Sequence, residues 1–187
     1  MTEAPKHHIV YGTLRDFITG EELPDTDDER FRQKIAKFLV ENKGYDKQDI
    51  TPRLRICTEF SGKKVCSRID FLVKVNGISF MVIRYGPGSI VTRQRSAIAA
   101  AKVLNPEYQI PIAVATNGED AAVMDVFTGK VIGEGFEAIP SKDEATKILK
   151  NFKKMTLDEK KRERELRILN AYDVDMCSLY RAKPPGC

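Results

Sequence analysis

The sequence has no tryptophan, only two histidines and no apolar run long enough to cross a membrane. A membrane span needs roughly 18 or more consecutive apolar residues, so we expect no membrane partner. His7 and His8 are adjacent near the N-terminus, and we interpret them as part of a solvated arm rather than as metal ligands. The N-terminal residues also lack the charged-then-apolar pattern of a signal peptide, which predicts a cytoplasmic protein.

The four cysteines lack the CxxC spacing that is typical of structural zinc sites. Two of them are predicted to lie opposite each other. A two-residue turn at Ser61 and Gly62 would place Cys57 directly opposite Cys66 on neighbouring strands. Because disulfides are uncommon in the cytoplasm, we expect two neighbouring reduced thiols.

Acidic residues are missing from the middle of the chain, between Asp70 and Glu107. The cations in this interval are Lys74, Arg84, Arg93, Arg95 and Lys102. The interval is either an active site without its usual acids or a basic surface on a sheet. A net charge of +4 permits a polyanionic partner without requiring one.

The length of 187 residues and a hydrophobic content of 42% suit one domain with a substantial core. Hydrophobic periodicity predicts a helix, a three-stranded antiparallel meander, a helix, further strands and then two helices. This order predicts an α/β fold, in which a mixed sheet with an α-β-β-β-α-β core is flanked by helices and followed by two C-terminal helices. We divide the chain into an N-terminal arm (1–24), a core (25–140) and a C-terminal helical extension (141–187).

Local signals predict where these elements begin and end. The capping-box pattern occurs at Thr26–Glu29, Ser141–Glu144 and Thr156–Glu159. Gly44 is expected to end the first helix, and Ser89 to cap the second one. The predicted strands include His8–Tyr11, Arg53–Phe60, Val65–Val75, Ile78–Arg84 and Ile110–Thr116, and the second helix is predicted over Ile90–Leu104.

Several segments resemble a known family. They are ERFRQKIAKFLVENKGY from Glu29, RIDFLVKVNGISFMVIRYGPG from Arg68, Gln94 on the second helix, and IAVATNGEDAAVMD from Ile112. In these residues and in the element order, the chain resembles the N-terminal nuclease domain of type I restriction enzyme R subunits. That domain is a member of the restriction-endonuclease-like PD-(D/E)XK superfamily, so the resemblance implies this fold and DNA as a partner.

The resemblance also implies a catalytic position. Asp70 matches the first acid of the family motif, which with a second acid holds Mg²⁺ and so activates a water molecule. Glu29 lies where the family often places a supporting carboxylate, although the capping box also explains it. Where the family has acid-x-Lys, however, this sequence has Ile83-Arg84-Tyr85. Neither Ile83 nor Tyr85 can replace those groups, so Asp70 alone is a poor metal site and no cofactor is expected unless the nuclease activity remains.

Positive charge on the following helix can stabilise developing negative charge, and Arg93 and Arg95 are the candidates for this catalytic part. Residues that can contact nucleic acid lie on the predicted hairpin and around the Gly86-Pro87-Gly88 loop. They are Arg53, Arg55, Lys63, Lys64, Arg68, Arg84, Ser89 and Gln94. Surface strands commonly carry such charges, so each of these residues also has a purely structural interpretation.

Three functional hypotheses follow. The first is a module with a nuclease fold that binds DNA without cleaving it. The second is an active metal-dependent nuclease whose rearranged site uses Asp70 with Arg93 or Arg95 and Mg²⁺. The third is a non-catalytic protein-interaction module, which would form a homodimer or bind other restriction-system subunits.

Overall fold

The structure is a computed structural model that describes residues 9–60 and 62–179. Its strands are β1 (Gly12–Arg15), β2 (Glu22–Asp25), β3 (Ile50–Phe60), β4 (Lys63–Val75), β5 (Ile78–Tyr85), β6 (Ile112–Thr116), β7 (Ala121–Asp125) and β8 (Val131–Glu134). Its α-helices are α1 (Asp27–Glu41), α2 (Val91–Val103), α3 (Lys142–Lys150) and α4 (Glu159–Leu179). Short 3₁₀ turns lie at Lys47–Asp49 and Phe136–Ala138. The predicted fold class and core order are confirmed.

Six strands form one mixed sheet in the order β3-β4-β5-β6-β7-β8. Every neighbouring pair is antiparallel except β5 and β6, which run parallel. A parallel pair needs a long crossover connection, and α2 supplies it here. The strands β1 and β2 form a separate antiparallel hairpin.

Helices cover both faces of the large sheet. Ile35 and Leu39 of α1 are fully buried on one face, in the same core as Ala145 of α3. On the other face, α2 and α4 share a second core that includes the fully buried Leu169. Ala97, Ala99, Ala100 and Ala101 are also completely buried there, because side chains this small let α2 lie close to both the sheet and α4.

The capping signals were right at one helix and partly wrong at two others. Ser141 and Glu144 form the predicted capping box of α3. Thr26 caps α1 by accepting the Glu29 N–H at 3.2 Å, but the Glu29 side chain is buried and does not return to the cap. The cap of α4 is Asp158 rather than Thr156, since Asp158 Oδ1 accepts the Lys161 N–H at 2.9 Å.

Two further boundary predictions were wrong. The α2 helix has Ile90 at its N-cap and no side-chain cap, so Ser89 does not play that part. Residues 9–11 of the strand predicted at the N-terminus are not in a strand, and residue 8 lies outside the described residues. The strand lies later, in β1, because its partner β2 pairs Gly12 with Asp25 and Arg15 with Glu22.

The predicted opposition of two cysteines is confirmed by the register of β3 and β4, which pairs Cys57 with Cys66. The expectation of reduced thiols is wrong, because the two sulfur atoms are bonded at 2.08 Å. The disulfide therefore joins the two strands of the β3–β4 hairpin. Among the described residues, no helix has the length and hydrophobicity needed to cross a membrane.

The burial of Leu169 allows a test of whether α4 is part of the folded core. Leu169→Ala should lower the free energy of unfolding by about 2–5 kcal/mol, because it leaves a cavity between α4, α2 and the sheet. Urea denaturation measures this loss. Lys160→Ala on the same helix is the control, since Lys160 is exposed and should change stability by less than about 0.5 kcal/mol. Equal effects of the two substitutions would show that α4 is not packed as described.

Candidate functional site

Two carboxylates converge between the sheet and α1. Asp70 of β4 is 2% exposed, and Glu29 in the first turn of α1 is 7% exposed. Arg32 bridges them: its Nε lies 2.6 Å from Asp70 Oδ1 and its Nη1 lies 3.4 Å from Glu29 Oε2. Arg68 lies beside both, with Nε 3.5 Å from Asp70 Oδ1 and Nη2 3.6 Å from Glu29 Oε2. We call these four residues the carboxylate–arginine centre.

An irregularity in the sheet directs Asp70 towards α1. Ile69 packs in the core on the α2 side, whereas Phe71 packs in the core on the α1 side. Side chains that are two residues apart normally share a face, so the alternation of β4 is interrupted at Asp70. Opposite this point Arg53 has a φ of 56°, and neither Arg53 nor Asp70 has a partner in the register of β3 and β4.

The second oxygen of Asp70 is also occupied. The backbone N–H of Tyr85 donates to Asp70 Oδ2 at 2.7 Å. The Tyr85 ring lies 5.1 Å from the Arg32 guanidinium carbon, and its hydroxyl donates to Asp28 Oδ1 at 3.0 Å. Burial and the neighbouring Asp28 raise the pKa of Tyr85 above its usual value. Tyr85 therefore packs as a neutral ring against the Arg32 guanidinium.

The pKa values of Arg32 and Arg68 are shifted in opposite directions. Burial opposes the charge of Arg32, but the charge and hydrogen bond of Asp70 outweigh this effect and raise the pKa of the guanidinium. Burial and repulsion from Arg32 lower the pKa of Arg68. Arg32 is therefore the main counterion, while Arg68, whose side chain is 43% exposed, is held more loosely.

The donors of this centre do not fit Mg²⁺, which the resemblance would place here. Mg²⁺ requires octahedral oxygen coordination, and within the described residues no group of three or more histidine, cysteine or acidic side chains can hold a metal ion. Ile83 is apolar and fully buried in the core, so it offers no ligand. Both oxygens of Asp70 already accept hydrogen bonds from Arg32 and Tyr85.

The other candidate catalytic residues lie in contacts of their own. Arg93 donates to the carbonyl of Pro87 at 2.7 Å. Arg95 pairs with Glu165 of α4 at 2.6 Å. No contact joins either of these arginines to Asp70 or Glu29 in the part of the chain that the structure describes.

The residues predicted to contact nucleic acid are dispersed. Arg84 pairs with Asp173 of α4 at 2.9 Å, and Arg53 donates to Asp16 and pairs with Glu21. The exposed Arg55 lies directly opposite Arg68 in the register of β3 and β4. Ser89 is exposed and Gln94 is half-buried, while the side chains of Lys63 and Lys64 lie outside the described ones.

Sequence reasoning missed three residues that hold this region together. Arg32 follows Glu29 by three residues, so the spacing of neighbouring charges on a helix could have revealed it. Gln33 links the centre to the β1–β2 hairpin, because its Nε2 donates to Glu29 Oε1 at 3.0 Å and to Asp16 Oδ2 at 2.9 Å. No local pattern connects Asp16 to these positions, since it contacts them only in the folded chain.

Asp16 should contribute acid-sensitive stability. Burial alone would raise the pKa of this carboxyl. The Thr19 N–H, the Gln33 amide and the Arg53 guanidinium outweigh burial and lower the pKa to about 2. Because the folded-state pKa is depressed, the stabilisation is complete above the unfolded pKa near 3.8 and is lost as the pH falls towards 2.

Urea denaturation of the natural chain and of Asp16→Asn at several pH values tests this assignment. At pH 6 the natural chain should have a larger free energy of unfolding than Asp16→Asn. This difference in free energy should shrink as the pH is lowered from about 4 to about 2. A difference that stays constant over this window would show that Asp16 titrates normally in the folded protein.

A second prediction concerns the pairing of Arg32 with Asp70. Arg32→Met should lower the free energy of unfolding by about 3–5 kcal/mol, because it leaves a buried carboxylate with too little positive charge. Asp70→Asn should destabilise the natural chain, yet it should restore part of the stability in the Arg32→Met background. Urea denaturation of the four proteins measures this reversal of sign.

Arg30→Met is the matched control, one half-turn away on the same helix. Arg30 pairs with Asp25 at the surface, where its side chain is 53% exposed. Its loss should cost less than about 1 kcal/mol. If Asp70→Asn destabilised both backgrounds equally, the pairing of Arg32 with Asp70 would carry no coupling energy.

We compared the chain with solved structures, curated proteins and protein families to identify the family to which it belongs. A solved fragment described as an HsdR subunit of a type I restriction enzyme from Vibrio vulnificus YJ016 is similar in structure, with 20% sequence identity and a TM-score of 0.46. The similarity covers 63% of this chain and 25% of that one, so the chain spans about a quarter of that protein's length. No curated protein sequence matches the chain significantly. The family described as the type I restriction enzyme R protein N terminus matches residues 27–140. Since this match covers more than half of the chain, the chain belongs to that family.

Proposed function

We propose that this chain is a DNA-binding domain of the type I restriction R-protein family that does not cleave DNA. The carboxylate–arginine centre is the observation that supports this proposal. The two carboxylates at the family's catalytic position are neutralised by Arg32 and Arg68. A site for a divalent cation needs carboxylates that are free to coordinate it, and here both are committed to arginines.

Metal binding would have to disrupt this centre. A cation at Asp70 would have to displace the Arg32 guanidinium, whose side chain is 11% exposed. The displaced guanidinium would lose its counterion in a poorly solvated position, which is costly. The centre therefore stabilises the junction of β4 and α1 instead of activating water.

The DNA surface in this proposal is the β3–β4 hairpin beside the centre. Arg55 and Arg68 face each other across the two strands. Neither is tightly paired: Arg55 is exposed, and Arg68 lies at 3.5 Å and 3.6 Å from its two carboxylates. Arginines held in this way can turn to bind phosphate oxygens, and two adjacent ones can bridge successive phosphates.

We expect this surface to bind DNA with an affinity that depends on salt but not on Mg²⁺. The variant Arg55→Gln/Arg68→Gln should bind duplex DNA about tenfold or more weakly, because two phosphate contacts are lost. The slope of log K against log salt should fall in magnitude by about 1.8, since each contact contributes about 0.9. Fluorescence anisotropy with a labelled duplex, measured with EDTA and with Mg²⁺, provides both numbers.

The control is Lys153→Gln/Lys160→Gln, which removes the same charge from exposed positions elsewhere. It should leave both affinity and salt slope nearly unchanged. Absence of any DNA binding would instead favour a role in protein interaction. Mg²⁺-dependent cleavage that disappears in Asp70→Ala would overturn the non-cleaving assignment and favour the active nuclease.

A further inference from the structure

A groove lies between the exposed side of α1 and the loop that connects β1 to β2. It has a volume of about 1140 Å³ and lies between the loop Asp16–Gly20, the exposed face of α1 and the residues Lys47 and Phe136. Small-molecule pockets usually have about 300–1,000 Å³. The larger size and open form of this groove suit an extended ligand.

Positive charge predominates along the groove. Arg15, Lys34, Lys37 and Lys47 line it, and none of the four has an acidic partner within the described part of the chain. The acids that line it are Glu41, at the end of α1, and Asp16, which is held by Gln33 and Arg53. The groove therefore offers four cations for which the described residues provide no counterion.

These cations are arranged in a row rather than around one point. Lys34 and Lys37 lie three residues apart on one face of α1, and Arg30, which pairs with Asp25, precedes Lys34 by one turn on the same face. Each step advances by about 4.5–6 Å along the helix axis. A row of this kind matches a linear polyanion better than a single small anion.

The floor of the groove is aromatic. Phe17, Phe38 and Phe136 line it, and the rings of Phe38 and Phe136 pack edge to face at 5.4 Å between centroids. Lys47 Nζ lies 3.9 Å from the centre of the Phe17 ring, and Lys37 Nζ lies 6.0 Å from it. Two ammonium groups and three aromatic rings therefore lie close together in the groove.

We infer that this groove binds single-stranded nucleic acid. Its phosphates would lie along Lys34 and Lys37, and its bases would stack on the aromatic floor, as in other proteins that bind single strands. Duplex DNA keeps its bases paired inside, so it could use the cations but not the rings. An acidic peptide could also use the cations, but it does not present a planar ring with each charge. The inference does not rest on the hairpin surface.

The test uses the full chain and a fluorescent oligothymidine of about 16 nucleotides, the upper end of the range of about 4–16 nucleotides that one single-strand-binding fold covers. Lys34→Ala/Lys37→Ala should weaken binding about tenfold. It should also lower the magnitude of the salt slope by about 1.4, because each phosphate of a single strand contributes about 0.7. Alanine is compatible with an exposed helix position, so the variant should fold normally.

Two further variants separate charge from stacking. Phe17→Leu keeps an apolar side chain but removes the ring, and it should weaken oligothymidine binding about fivefold or more, because stacking on one ring contributes about 1–3 kcal/mol per base. Lys150→Ala/Lys153→Ala is the charge-matched control, since both lysines are exposed outside the groove. It should leave the affinity unchanged.

The hairpin variant Arg55→Gln/Arg68→Gln distinguishes this site from the proposed DNA surface. It should retain oligothymidine binding, while Lys34→Ala/Lys37→Ala should weaken oligothymidine binding much more than duplex binding. Equal losses in the groove variant and its charge-matched control would overturn the inference. Binding of polyglutamate without binding of oligothymidine would also overturn it and would assign the groove to an acidic protein.

Discussion

The pairing of Asp70 with Arg32 is the constraint on which this region of the structure depends. It joins β4, the second strand of the meander, to the first helix, α1. The two residues are 38 positions apart in the sequence. Asp70 is nearly inaccessible to solvent and also accepts the backbone N–H of Tyr85. A carboxylate in such a position needs compensating charge, so the position of α1 over the sheet and the direction of Asp70 are fixed together.

Asp70 and Glu29 share Arg32 as their counterion between the sheet and α1. The positive charge between them is a guanidinium fixed to the chain instead of an exchangeable ion. A fixed guanidinium provides charge neutralisation and hydrogen bonds, but it offers no coordination site for a water molecule. Asp70 and Glu29 therefore anchor α1 to the sheet in this chain.

Most of the sheet and helices could be predicted from the sequence, because their hydrophobic periodicity is local. The contacts of the site were harder to predict from the sequence. A capping box explained Glu29 locally, but Asp70 and Arg68 approach it only after β3 and β4 have paired. Arg84 was predicted to contact nucleic acid and Arg95 to stabilise developing negative charge. The sequence did not reveal the acids that neutralise them, which lie 89 and 70 residues later, on α4. The opposition of Cys57 and Cys66 followed from the turn, whereas their oxidation did not.

The distance along the chain between Arg84 and Asp173 also has a consequence for biosynthesis. The sheet and α2 leave the ribosome well before α4 does, and N-terminal parts generally fold first. Until α4 has emerged, Arg84 and Arg95 have neither of their acidic partners, and the core around Leu169 is open on one side. The nascent chain therefore passes through a stage in which the α2 face is both cationic and apolar. That face becomes neutral and covered only when the last described helix docks.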